Sequence, residues 1–360
     1  MVSYLIIEKV DVRAVNVPLE YPIHTAVGVV DTSPLVLVDI FTNSSSVGKA
    51  YLFGYSPAML SSLKSVTEVL SKLIVGMKVE PFTVNKLLEE RFQLLGYTGL
   101  LRMAGSGIDM ALWDVLAKSA GLPLYKFLGG GARKIKSYDS HSMDGVSLAA
   151  QRAEASVEQG FRGIKTKIGY ETLEEDLNVV LKLREVVGDN VDIMVDYNQS
   201  LTVPEAKKRI KVLEAEGIAW VEEPVSYFDD DACEKVRSAS NVAIQIGENW
   251  LGTEQMIKSL RAEACDLSMP DVMKIGGVTG WLKASALCEA FAQPMSSHLF
   301  QEYSAHLLAV SPTAHWLERM DIAKAVVDSS LAFVDGDAVL SDEHGAGFVW
   351  KESEIEKYIV

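Results

Sequence analysis

The rhythm of apolar and polar positions changes twice along the chain. Up to about residue 55 the apolar residues come in short runs rich in β-branched side chains, "KVDVRAVNVPL" and "SPLVLVDIFT", and "NSSSVGKA" reads as a turn between strands. Helical spacing then takes over in "SPAMLSSLKSVTEVLSKLIVG", "TVNKLLEERFQLL" and "GLLRMAGSGIDMALWDVLAKSAG", the last closed by Gly121 and Pro123. Strands followed by helices predict a small α+β domain over residues 1–130.

After "LGGGARK" short strand-like runs alternate with amphipathic helical stretches. The runs are IKSYDS, GIKTKI, VDIMVD, IAWVEE, AIQIGE, ACDLSM, QPMSS and AHWLE. A repeated strand–helix unit implies parallel strands. Eight such strands predict a closed (β/α)-type barrel over residues 131–329; pattern alone leaves an open doubly wound sheet as the alternative. Residues 330–360 are surplus to the barrel and are expected to pack back on the first domain.

Composition narrows the class. With 48% hydrophobic and 23% charged residues the chain is an ordinary globular one. A formal charge of −15 argues against a general nucleic-acid binder. No run is long and apolar enough for a membrane span, and "MVSYLIIEKVDVRAV" has no signal-peptide layout. The three cysteines, Cys233, Cys265 and Cys288, form no disulfide or C-x-x-C pattern, which fits a reducing, cytoplasmic setting.

The candidate chemistry sits where strands end, the place where barrels carry their active sites. "GFRGIKTKIGY" puts Lys165 and Lys167 on one face of one strand, an arrangement that like-charge repulsion disfavours unless something nearby is negative. The next strand ends bring Asp196, Glu222 and Glu248, spaced 26 residues apart, one strand–helix unit each. Asp271, His298 and Glu318 follow. One acid at a strand end is commonly a helix cap or a surface charge; acids or bases at seven consecutive strand ends need another reason. Three converging carboxylates without Cys or His favour Mg²⁺ over Zn²⁺. An α-hydroxy or α-amino carboxylate would chelate that ion, with Lys165 neutralising the carboxylate. Lys167, beside Lys165 and near the dication, is expected to have a lowered pKa and to serve as a base. Asp271 would orient His298 as a second base on the far side of the α-carbon, the geometry of a racemase. Glu318, if protonated, would donate a hydrogen bond to the forming enediolate.

The motifs "KTKIGY", "IMVDYNQSL", "EEP", "GENWLG", "MPDVMKIGGVTGW", "PMSSHLFQE" and "HWLER" resemble the mandelate racemase subgroup of the enolase superfamily, with "RAVNVPL" and "YPIHTAVG" extending the likeness toward the start. The resemblance implies a modified (β/α)7β TIM-type barrel under an N-terminal α+β capping domain. It implies Lys167 as the base for an S-configured substrate and His298 for the R, Asp271 as the histidine's partner and Asp196, Glu222 and Glu248 as Mg²⁺ ligands. Lys165 would bind the substrate carboxylate, Glu318 would be the electrophilic acid, and Asn198 and Ser140 would contact the substrate. The family is commonly octameric, so a homo-oligomer is expected.

The cap loop "YPIHTAVGVV" and the following "YLFGY" offer Ile23, Val27, Val30, Phe53 and Tyr55 as an apolar wall. Such a wall suits a phenyl or vinyl group better than the hydroxyls of a sugar acid. Ile23, Gly54 and Met320 depart from the family pattern, which has valine, alanine and leucine there. The first expectation is thus a Mg²⁺-dependent racemase of a small-molecule 2-hydroxy acid, mandelate or an aromatic or β,γ-unsaturated relative. The alternatives are an acid-sugar dehydratase using the same enediolate, and a ligand-binding protein without catalysis, which would have no need of both Lys167 and His298.

Overall fold

The N-terminal runs pair as an antiparallel meander in the computed structural model, which describes residues 4–131 and 134–360. The first three residues of the chain start and Ala132–Arg133 of the "LGGGARK" junction lie outside the described residues. The strands β1 (Ile7–Thr25), β2 (Gly28–Thr42) and β3 (Val47–Phe53) lie in that order. Helices α1 (Pro57–Ile74) and α3 (Leu100–Ser119) pack on this sheet, and α2 (Pro81–Arg91) packs on α3. The start of α1 is written locally. Ser56 accepts a hydrogen bond from the Ala58 amide, and Pro57 takes the first position, where no N–H is needed.

The second half closes into a barrel. Strands β4 (Lys134–Ser140), β5 (Gly163–Lys167), β6 (Asp192–Asp196), β7 (Ile218–Glu222), β8 (Ala243–Ile246) and β9 (Leu267–Ser268) pair in parallel and in sequence order. Strand β10 (Leu317–Arg319) pairs with β4 and completes the ring. This is a seven-unit βα barrel with a final strand beneath an α+β cap, and it excludes the open sheet. The seventh run, "QPMSS", is reduced to isolated bridges: Met295 to Ser268 and Ala314, and His298 to Asp271. Pro294 has no N–H to contribute to a ladder there.

Large rings plug the barrel interior. Tyr138, Met194, Trp220, Leu267 and Trp316 form one buried cluster. The Trp220 and Trp316 rings meet edge to face with centroids 6.3 Å apart, a favourable arrangement for their quadrupoles. With the lower barrel filled, charged groups have room only at the C-terminal mouth. Gly163 belongs to this packing, because a Cβ there would lie 2.9 Å from the Trp316 ring. Trp316→Ala is expected to destabilise the protein by about 3–5 kcal/mol, seen as a lower midpoint in urea. An unchanged midpoint would mean that the plug is not a packed core.

The C-terminal residues touch both halves. Strand β11 (Val327–Ser329) pairs with β14 (Phe348–Trp350), while β12 (Ala332–Val334) and β13 (Asp337–Val339) form a hairpin whose second strand joins β4. The remainder runs over the cap. Trp350 Nε1 donates to Asp39 at 2.7 Å, Arg13 pairs with Glu352 at 2.5 Å, and Ile359 bridges to Val15. The contact of β13 with the barrel is additional to the cap packing expected from sequence. Among the described residues no helix is long and apolar enough to cross a membrane.

Candidate active site

Strand β5 is buried along its whole length, and Lys165 and Lys167 share its inward face at 0% and 7% exposure. Such burial of two ammonium groups requires acceptors. The strand register supplies them. Lys167 lies opposite Asp196, and Asp196 opposite Glu222. The Lys167 ammonium donates to Asp196, and Lys165 Nζ lies 2.6 Å from Glu222 and 2.8 Å from Glu318. Asp196, Glu222 and Glu248 each offer a carboxylate oxygen within 4.8 Å of the others. The evenly spaced acids therefore converge, as their one-per-unit spacing predicts.

Among the protein's own groups burial lowers the Lys167 pKa, and Asp196 most strongly, with Glu248 and Glu222, raises it above the ordinary lysine value, while Lys165 opposes them by less than Asp196 but more than either glutamate. A magnesium ion held by the same carboxylates would cancel their pull, which is the setting in which the lowered value is expected. Burial would raise Glu318, yet the Lys165 charge, His298 and the Leu299 amide bring it down to about 2 while Lys165 is its partner. Glu222 goes the other way, up to about 7, because burial there exceeds the pull of Lys165.

Asp271 and His298 are joined. Asp271 begins the short helical turn Val272–Ile275, with Oδ1 accepting from the Met273 and Lys274 amides at 2.7 and 3.1 Å. Its other oxygen meets His298 Nδ1 at 2.7 Å. The ordinary capping role and the orienting role thus belong to one side chain. A carboxylate accepts only, so Nδ1 carries the proton and Nε2 faces the mouth, 3.3 Å from Glu248 Oε2. Burial would lower His298, but Glu248 and Asp271 raise it above the usual value.

Asn198 sits in a left-handed turn at φ 44° and donates to Asp196 from its backbone N–H at 2.8 Å and from its side chain at 3.0 Å. Its Oδ1 and the Ser140 Oγ are buried polar atoms with no partner, the state in which ligand contacts are found. Ile23 and Val30 are cross-strand neighbours at the end of the β1–β2 hairpin, and both pack partly buried against the core, as does Tyr55. Val27 is not part of that wall. It is 68% exposed, because it occupies the two-residue turn beyond the last pair, Thr25 and Gly28. The tip residue that reaches the barrel is Ala26, whose methyl would be 2.8 Å from a Cβ at Gly169. A cavity of about 360 Å³ is lined by Ile23, Ser140, His141, Arg152, Arg319 and Met320 among others. It borders the candidate site through Ser140 and Ile23 and does not enclose the carboxylates.

Several site residues escaped the sequence reading. Glu223 is fully buried in a φ 38° turn and receives hydrogen bonds from Gln199 and Asn249. Gln245 Nε2 donates to Glu222 at 3.1 Å. Lys274 is 7% exposed and bonds Asn249. Polar residues directly beside a strand-end acid were the available signal.

The donor chemistry fits magnesium: three buried carboxylates supply hard oxygen ligands and strong negative charge. A solved enolase from Bradyrhizobium, complexed with magnesium and mandelic acid, is similar with a TM-score of 0.95 and 39% identity, covering 100% of both chains. The L-talarate/galactarate dehydratase of Salmonella typhimurium is 30% identical over 261 residues, which span 72% of this chain and 66% of that protein. The arabinonate dehydratase of Saccharolobus solfataricus is 28% identical over 345 residues, 90% of each. Magnesium is the cofactor of this protein. The mandelate racemase/muconate lactonizing enzyme N-terminal domain matches residues 7–129, and the enolase C-terminal domain-like family matches residues 148–354. The chain therefore belongs to the mandelate racemase/muconate lactonizing enzyme family, and it is a magnesium-dependent enzyme of the enolase superfamily.

Proposed function

We propose that the protein racemises a 2-hydroxy carboxylate, with mandelate or a close aromatic or β,γ-unsaturated relative as substrate, by proton transfer between two bases. One observation carries this reading. Two proton carriers address one carboxylate cluster from different members: Lys167 through Asp196, and His298 Nε2 through Glu248. Asp196, Glu222 and Glu248 would hold the ion. Magnesium, when bound, supplies positive charge opposite the oxygens on which negative charge grows as the α-proton leaves.

The chain's own groups do the rest. Lys165 neutralises the substrate carboxylate. Lys167 removes the α-proton of the S enantiomer and His298 that of the R, each returning a proton to the face it serves. Asp271 keeps the His298 proton on Nδ1, so that Nε2 is the atom that exchanges. Glu318 stands 2.8 Å from Lys165. When Lys165 turns to the substrate, Glu318 loses the cation that most strongly holds it ionised, and it becomes able to donate to the enediolate. Asn198 Oδ1 and Ser140 Oγ orient the substrate's polar atoms. Ile23, Val30 and Tyr55 shield its side chain.

A second reading, an acid-sugar dehydratase, is favoured by the cavity beside Ser140, whose lining includes Ser142, His141, Arg152 and Arg319. Those groups would partner hydroxyls that an apolar wall would leave unsatisfied. The first step is shared, and His298 would then protonate a departing β-hydroxyl. Incubating 2-hydroxy acids and sugar acids with the enzyme and Mg²⁺ in D₂O, followed by NMR, separates the two. Mandelate is expected to lose its α-proton and invert faster than any sugar acid dehydrates. Dehydration without mandelate exchange would replace the first reading by the second.

A further inference from the structure

Lys274 lies at the barrel mouth on the turn that Asp271 begins, and its backbone N–H is one of the donors to Asp271. Its side chain is 7% exposed, so the ammonium has left most of its water behind. One side of that ammonium faces the Tyr55 ring of the cap, 4.5 Å from the centroid. Toward the barrel it donates to Asn249 Oδ1 at 2.6 Å. An ammonium has no acceptor, so it fixes the sense of the Asn249 amide with oxygen toward Lys274. The amide nitrogen is then committed to carboxylates: Glu223 at 3.0 and 2.9 Å, and Glu248 Oε1 at 3.2 Å. Glu248 Oε2 is left toward His298 at 3.3 Å. The ammonium and the two carboxylates select the same amide orientation: reversed, the amide oxygen would face Glu223 and Glu248 and the amide nitrogen would face the ammonium. Lys274 is the group that anchors the oxygen end and so holds the amide in place against Glu248.

We propose that Lys274 is a positioning residue for magnesium binding, acting through the Asn249 amide to set the rotamer of Glu248. The proposal rests on the assignment of Glu248 as a magnesium ligand. It has a sign that simple electrostatics does not share. Removing a positive charge near a cation site should, by Coulomb's law alone, tighten cation binding. Removing the group that orients a ligand should weaken it, as loss of outer hydrogen-bond partners does elsewhere.

The test is calorimetric titration of Mg²⁺ into the full-length protein, with no substrate present. Lys274→Met is expected to bind Mg²⁺ roughly 10–100-fold more weakly, and Lys274→Arg to recover most of the loss. Asn249→Leu changes no charge and is expected to weaken binding similarly. The double variant should be no worse than Asn249→Leu, because both act through one amide. Parent-like or tighter binding by Lys274→Met, or additive losses in the double variant, would overturn the proposal. If circular dichroism shows that Lys274→Met does not fold, Asn249→Leu decides alone, and parent-like affinity there sinks the idea. Glu248→Gln serves as the reference. Parent-like affinity in that variant removes the ligand assignment itself, whereas loss there beside an unaffected Lys274→Met removes only the role of Lys274.

Discussion

In D₂O, His298→Asn is expected to lose racemisation in both directions while (S)-mandelate still exchanges its α-proton with retention. The fall in racemisation should reach roughly 10²–10⁴-fold, the usual contribution of a positioned general base. Inversion needs a proton carrier on each face, and the variant keeps only Lys167. (R)-Mandelate should exchange negligibly, because its proton points toward the missing imidazole. The substitution is mild for the fold, since an Asn amide can still donate toward Asp271, which accepts from His298 at 2.7 Å in the parent. Lys167→Ala should show the reverse preference at saturating Mg²⁺, with Lys165 still held by Glu222 and Glu318. NMR of each pure enantiomer reads the outcome directly. Equal exchange of both enantiomers by His298→Asn would mean one mobile base, and the two-base assignment would fail.

Glu222→Gln is expected to reduce magnesium affinity by more than the 10–100-fold that loss of an outer-sphere partner costs, and activity should disappear at ordinary Mg²⁺ concentrations. Two effects act together. One of three anionic donors is lost, and the neutral amide presents N–H groups where Glu222 accepts from Lys165, Trp220 and Gln245 at 2.6, 3.3 and 3.1 Å. Donor would then face donor in a fully buried position. Calorimetry measures the affinity, and restoring EDTA-treated parent enzyme with Mg²⁺ gives the matching activity control. Parent-like Mg²⁺ binding in the variant would remove Glu222 from the ligand set.

The legible and illegible parts of the site differ in how many elements fix them. Asp196 and Glu222 could be read because each ends its own strand and the parallel register sets them side by side, and Glu248 because it follows the end of β8 by two residues. The Asp271–His298 pair was readable on the same basis, although the strand leading to His298 is only a set of bridges. Val27 was misplaced because the sequence marks the cap loop but not its tip: Ala26 and Val27 form the turn beyond the Thr25–Gly28 pair, and only one of them faces the barrel. Glu223, Asn249 and Lys274 were missed because their contacts come from a left-handed turn and a short capped helix rather than from strand ends.

The tail that runs back over the cap has a consequence for how the chain is made. Arg13 and Glu352 are 339 residues apart in sequence, and Val15 on the edge of β1 finds its partner at Ile359. During synthesis that edge waits until the chain has been made as far as Ile359, roughly 20–70 s at about 5–20 residues per second. An unpaired strand edge held open for so long is a template for the wrong neighbour. The cap therefore reaches its final form only after Ile359 has been made and has left the ribosome, and crowded nascent chains with exposed β1 edges are the stage at which aggregation competes with folding.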